Sequence, residues 1–530
     1  MTRPADLVLT NAVAYTLDPA RPWATEIAIR DGRIEPETVR GPRTEVRDLR
    51  GAFVLPGLAD VHNHHALAGR AELFELTLPP TASVEAICAA VRDHDRARPG
   101  DGWITGGSWA STLLPQVATP DALARLDAAT GARPVLLSDD SRHNRWANSA
   151  ALHRAGLTAR PGGLLIEEVG LVAERARRAD TPPDAEEHRR SSRRGIEILH
   201  SYGVTAFQDA GVSVDILAAL HALDSAGGLD AWVVTSLLVN DHIFGFEPIG
   251  DALLAQAESY RSEHHRPDFV KVFLDGVPPA HTGAFLEPYL PTPEYGADFH
   301  GELTISPDAL VEVLRATVAA GRGAKVHCTG DAAVRAVLDA VEAAGAQGRV
   351  QIAHGQFVAP ADLPRFAALG VSADISPHLW TPGVIPQAIA EVLPPERAAH
   401  MQPVRSLLDT GAVVGGGSDW PVSETPNPWP GIQGLVTRQD PTGLHPGVLW
   451  PEEAVTLAEA IAVFTVGAVR AMGLDDVTGA ITAGRSADLT ILDRNPFAVP
   501  VTEVARTRTV ETIFAGRTVF LRDQRDILHL

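Results

Sequence analysis

The residues best suited to chemistry in this chain are histidines placed at the ends of apolar runs. In LPGLADVHNHH an apolar run leads into His62, Asn63, His64 and His65. Side chains alternate faces along a strand, so His62 and His64 share one face about 7 Å apart, and both imidazoles can converge on one metal ion. His327 closes the run GAKVH and His354 closes VQIAH, each where a strand hands over to a loop. A single histidine in such a place is ordinarily a satisfied structural residue. Four of them at the ends of three runs are harder to explain that way. Asp419, in AVVGGGSDWP, emerges at another strand end, where the glycines let the backbone approach closely. With the histidines it supplies an anionic ligand and a general base.

The basic residues are almost all arginine; only Lys271 and Lys325 are lysines. Lys271 lies in FVKVFLDG, where an ammonium group is costly unless paired or altered. It either pairs with an acid such as Asp275 or is kept neutral by burial. A neutral amine can react with CO₂ to form a carbamate, an anion able to bridge two cations. Lys325 precedes His327 by two residues and faces the same way, one layer deeper, where packing or a salt bridge is expected.

The elements that must position these groups are short apolar runs alternating with Ala-rich helical segments. GVTAFQDAG, FVKVFLDG, GAKVHCTG, VQIAHG, VSADISPH and AVVGGGSD read as strands, with helices expected over 307–321, 331–345 and 455–472. Buried strands alternating with helices form parallel βα units, and this many favour a (β/α)₈ barrel over a doubly wound open sheet. In such a barrel the C-terminal strand ends share one mouth, so the histidines meet there. The first and last stretches instead carry short strands with turn signals at Asp31-Gly32 and Gly516. They are expected to pair as one composite β-sandwich of 1–57 and 478–530, beside a barrel of 58–70 and 196–477. The stretch 71–195 breaks the rhythm and reads as an inserted subdomain covering the barrel mouth.

The formal charge of −21, from 45 basic and 66 acidic side chains, repels phosphate backbones and anionic membranes. Cys88 and Cys328 are the only cysteines and lie far apart, so disulfides and cysteine-based metal sites are excluded. No run reaches the ~20 apolar residues of a membrane span, and the N-terminus has no secretory pattern. The expectation is a cytoplasmic protein whose partner is a small-molecule substrate, with no nucleic acid and no membrane. A homodimer is one assembly open to it.

Taken in order, LPGLADVHNH, RHNRWANSAAL, VKVFLDG, HCTGDAAV, IAHGQ, GSDWPV and GAITAGRSADLTILD resemble the motifs of the amidohydrolase superfamily. The likeness is to the branch of amidohydrolase family 3 that includes YtcJ-like proteins and N-substituted formamide deformylases. Each motif is weak alone, but the ordered set spans nearly the whole chain. The resemblance implies that His62, His64, Lys271 as a carbamate, His327, His354 and Asp419 hold divalent metal. Two zinc ions are the first expectation, with manganese or iron as alternatives. It also implies hydrolysis of an amide or related C–N bond by a metal-activated hydroxide, with Asp419 as the proton carrier. His143, Trp109, His378, Trp380 and Arg438 are the candidate substrate contacts. A mononuclear deaminase-type site, which would not need Lys271, and a catalytically inactive scaffold of the same fold are the competing readings.

Overall fold

A computed structural model describes residues 3–523 apart from 80, 140–143, 158–160, 167, 183 and 243–244. Eight parallel strands form one sheet in sequence order: Leu58–Asn63, Val204–Val212, Trp232–Leu238, His265–Phe273, Gly323–Cys328, Val350–His354, Ser372–Ile375 and Val414–Gly416. They are barrel strands 1 to 8 below. The order never reverses, as it would in a doubly wound sheet. The ends of the sheet meet where Asp419 N donates to His62 O (2.7 Å) and His64 N donates to Trp420 O (2.8 Å). The result is a nearly closed α/β barrel.

Barrel strands 1 and 2 are buried at every residue, which is why parallel strands read as continuous apolar runs rather than alternating ones. The helices follow from equally simple rules. Ser306 caps Pro307–Ala319 by accepting from Ala309 N, with Pro307 in the first position. Asp331–Ala344 buries Val334, Val337, Leu338 and Val341 on one face and ends at Gly345 in the left-handed region. Gly330 is its cap; Asp331 is the first helical residue, and its carboxylate accepts Leu286 N at 2.8 Å. The segment expected over 455–472 is helical from Leu457 to Ala471, loosened by one wide turn over Val463–Gly467.

Two further sheets lie outside the barrel, one built from the N-terminal stretch alone and one that combines both ends of the chain. One has four strands and the other six, and in the latter Leu489–Leu492 runs antiparallel to Phe53–Pro56. Both expected turns are present, with positive φ at Asp31 and Gly32 and at Ala515 and Gly516, the geometry that tight hairpins need. The intervening region makes a five-stranded sheet from Leu76–Thr77, Ile104–Trp109, Val135–Asp139, Asn144–Ala147 and Leu164–Ile166. It has its own core around Ile87, Val91, Leu126 and Leu137. Helix Ala185–Ser201 runs through residue 196 and packs on His65–Phe74, the helix that leaves barrel strand 1. The crossing is close: a Cβ on Gly69 would lie 2.0 Å from Ser191 O, and one on Gly195 would lie 2.2 Å from His65 O.

Asp488 joins the six-stranded sheet to the barrel. Its buried carboxylate accepts from Trp232 Nε1 (2.9 Å), Thr478 Oγ1 (2.6 Å), Ser486 Oγ (2.7 Å) and Ala515 N (2.8 Å). Its carbonyl takes Gly57 N at 2.8 Å, just before barrel strand 1. Removing this acceptor strands several buried donors, so Asp488→Ala is expected to cost roughly 3 kcal/mol of stability. Urea unfolding monitored by tryptophan fluorescence would show it as a lower midpoint; an unshifted midpoint would mean the network does not hold the two parts together.

Candidate metal centre

Barrel strand 1 delivers His62 and, just beyond its end, His64; strands 4, 5 and 6 deliver Lys271, His327 and His354, and the turn after strand 8 delivers Asp419. The rings form a continuous cluster, with centroids 5.8 Å apart for His62 and His64, 4.8 Å for His62 and His354, and 4.6 Å for His327 and His354. Asp419 Oδ1 stands 3.6 Å from His62 Nε2 and 3.7 Å from His64 Nε2. One ligand atom from each of His62, His354 and Asp419 lies within 4.8 Å of the others.

The backbone is bent to achieve this. His354 (φ 69°) and Asp419 (φ 55°) both occupy the left-handed region, which is uncommon outside glycine and re-aims a side chain at a strand end. Gly417 allows the close approach of strands 8 and 1, because a Cβ there would lie 2.7 Å from both N and Cβ of His62. That is the purpose of the glycine run before Asp419.

Burial governs the electrostatics. It lowers the pKa values of His62 and His354 far below the ordinary histidine value, and nearby cationic groups add to the effect. Both rings are therefore neutral, the form that binds metal. Burial also brings Lys271 down to about 8, with Lys325 reinforcing the shift, and pushes Asp419 up to about 7 against the pull of Lys271. His354 Nδ1 is buried without a hydrogen-bond partner. Neutral imidazoles, a carboxylate whose charge is disfavoured by burial and an unpartnered ring nitrogen together fit a divalent cation of the zinc type.

Carboxylates that the sequence reading passed over orient these rings. His62 Nδ1 donates to Asp374 Oδ2 of strand 7 at 2.8 Å. Asp209 of strand 2 accepts His65 Nδ1 at 2.6 Å and lies 3.7 Å from His64 Nδ1. Asp60 accepts Ser418 Oγ (2.6 Å) and the backbone N–H of Ser418 (3.1 Å) and His62 (3.0 Å), and burial pushes its carboxyl up to about 6. The available signal was an acid inside each otherwise apolar run: LADVH, FQDAG and SADIS.

The pairing of Lys271 with Asp275 is not formed. Asp275 accepts N–H groups of Ala284 (3.0 Å), Thr329 (2.9 Å) and Gly330 (2.9 Å) instead. Lys325 ion-pairs with Asp374 and donates to Val61 O at 3.0 Å, below the histidines.

The expected substrate contacts separate. Trp109 is fully buried in the core of the inserted subdomain, donating to Leu137 O at 3.3 Å, so it is a packing residue there and not a contact at the metal cluster. Arg438 gives its N–H groups to the carbonyls of Leu449 (2.9 Å) and Met401 (2.8 Å) and braces two loops. Trp380 packs with Phe285, Tyr289 and Phe357. His378 Nε2 donates to Asn427 O at 2.7 Å, and its ring lies beside Gly431. His143 lies outside the described residues. No helix among the described residues is long and apolar enough to cross a membrane.

Comparison with known proteins places this geometry in a family. The sequence model of the amidohydrolase family matches residues 45–520. The chain is 28% identical to the N-substituted formamide deformylase of Arthrobacter pascens, over 97% of this chain and 98% of that one. It is 30% identical to the protein LONG AFTER FAR-RED 3 of Arabidopsis thaliana, over 93% and 88% of the two chains. With the protein YtcJ of Bacillus subtilis the identity is 27%, over 91% and 92%. An uncharacterized metal-dependent hydrolase from Pyrococcus horikoshii has the same fold, with a TM-score of 0.76 at 23% identity, over 93% of this chain and 99% of that one. The chain belongs to the amidohydrolase family.

Proposed function

We propose that this protein is a metal-dependent hydrolase that cleaves an amide or related C–N bond in a small molecule. The observation that carries the reading is the convergence of His62, His354 and Asp419 ligand atoms within 4.8 Å at a buried barrel mouth. Family membership supports hydrolysis of C–N bonds, and a relative named as a formamide deformylase agrees with it. His64, His327 and a carboxylated Lys271 complete the proposed ligand set, with zinc as the first choice of metal. A divalent metal held there supplies Lewis acidity and a water activated for attack at neutral pH.

The chain's own groups do the rest. Asp419, about equally far from His62 and His64, is placed to accept a proton at its carboxylate and deliver it to the leaving nitrogen. Burial of the whole cluster excludes bulk water and strengthens each electrostatic contact.

Lys271 decides between two ions and one. Its side chain is buried, its Nζ lies 4.8 Å from the Phe273 ring centroid, and among the described residues it makes no hydrogen bond or ion pair. A neutral Nζ can attack CO₂, forming an N–C bond and releasing one proton, to give a carbamate anion. Lys325 is already engaged by Asp374 and is unsuited to this. The tightness of the His62–His354–Asp419 group also allows a one-ion, deaminase-like site, which metal stoichiometry distinguishes.

Chelation should abolish hydrolysis of N-acyl and N-formyl substrates, and added Zn²⁺ or Mn²⁺ should restore it; full turnover in protein shown metal-free by elemental analysis would refute the proposal. Asp419→Asn should lower kcat by about 10²–10⁴-fold, the usual worth of a proton-transfer group, with the fold retained by circular dichroism; near-normal turnover would assign the base elsewhere. Lys271→Ala should lose one metal per chain and most activity, and short carboxylic acids should restore part of both. Undiminished metal content in that variant would exclude the bridge.

A further inference from the structure

We infer that Asp374 and Lys325 act as a positioning pair that sets how tightly His62 holds metal, an inference that rests on the metal-centre reading above. His62 Nδ1 donates to Asp374 Oδ2 at 2.8 Å. A proton fixed on Nδ1 leaves the Nε2 lone pair facing Asp419, 3.6 Å away. Lys325 Nζ binds the same oxygen, Asp374 Oδ2, and is anchored by Val61 O, one residue before His62. All three side chains are buried.

The shared oxygen has two consequences. Without Lys325, Asp374 would be an uncompensated buried anion, which is strongly destabilising. With Lys325, part of the carboxylate's charge is drawn away from His62. The imidazole is then oriented by Asp374 without being made as strong a donor as a lone buried carboxylate would make it. The pair therefore fixes the ring's direction and at the same time limits its basicity. Nothing in this depends on either group changing protonation state.

The two members consequently act in opposite directions on metal affinity, and this separates a positioning role from mere packing. Zn²⁺ affinity of the full-length protein would be measured by competition with a chromophoric chelator, beside thermal unfolding of the same samples. Asp374→Asn should weaken binding by about 10–100-fold, the usual effect of losing an oriented partner. Lys325→Met should lower thermal stability but bind Zn²⁺ at least as tightly as the unaltered protein. The double variant Asp374→Asn/Lys325→Met leaves no unpaired charge, so it should fold even if Asp374→Asn does not, and its affinity should fall between those of the Asp374→Asn variant and the unaltered protein. If Asp374→Asn or the double variant binds Zn²⁺ as tightly as the unaltered protein, the pair is only structural and the inference is overturned. If the unaltered protein takes up no Zn²⁺ at all, the metal centre itself is refuted.

Discussion

The centre of this protein is organised by one constraint, the cost of placing charge where water cannot reach it. His62, Asp60, Asp209, Lys271, Lys325 and Asp374 are all almost completely removed from solvent. Each ionised group in such a place must meet an opposite charge, accept or donate several hydrogen bonds, or give up its charge. All three solutions occur within one barrel end. Lys325 and Asp374 pair, Asp60 collects donors from Ser418 and His62, and His62 and His354 are neutral. Lys271 makes no hydrogen bond or ion pair among the described residues, and burial lowers its pKa to about 8.

The same constraint explains why the site sits at the barrel seam. Strands 1 and 8 must join for the barrel to close, and the residues that join them are His62, His64, Asp419 and Trp420. A glycine run permits that approach, and the left-handed turn at Asp419 turns its carboxylate back toward the histidines. Closure of the fold and the approach of Asp419 to His62 and His64 are one event in space. Elsewhere the inserted sheet keeps its own core, and the terminal strands form another.

Much of this could be read from the residues, because strand-end histidines and buried parallel runs leave strong local patterns. The barrel, the two tight hairpins and the terminal strands all announce themselves through periodicity and turn residues. Asp209 and Asp374 did not, since an acid inside an apolar run is indistinguishable from a misjudged strand until its partner, far away in sequence, is known. Trp109 is fully buried, its large indole anchoring the core of the inserted layer. Arg438 is similar: its guanidinium is absorbed by two loop carbonyls that no sequence pattern marks.

The closing of the barrel by Asp419 onto His62 also has a bearing on biogenesis. More than 350 residues separate the two, and at ordinary rates of synthesis, about 5–20 residues per second, roughly 20–70 s pass between their emergence from the ribosome. During that interval strand 1 has an open edge on the side that Asp419 and Trp420 later cover. Phe53–Pro56 waits longer still for Leu489–Leu492. The nascent chain thus cannot bring Asp419 to His62 until most of it has been made, and an early-terminated product would carry unpaired strand edges.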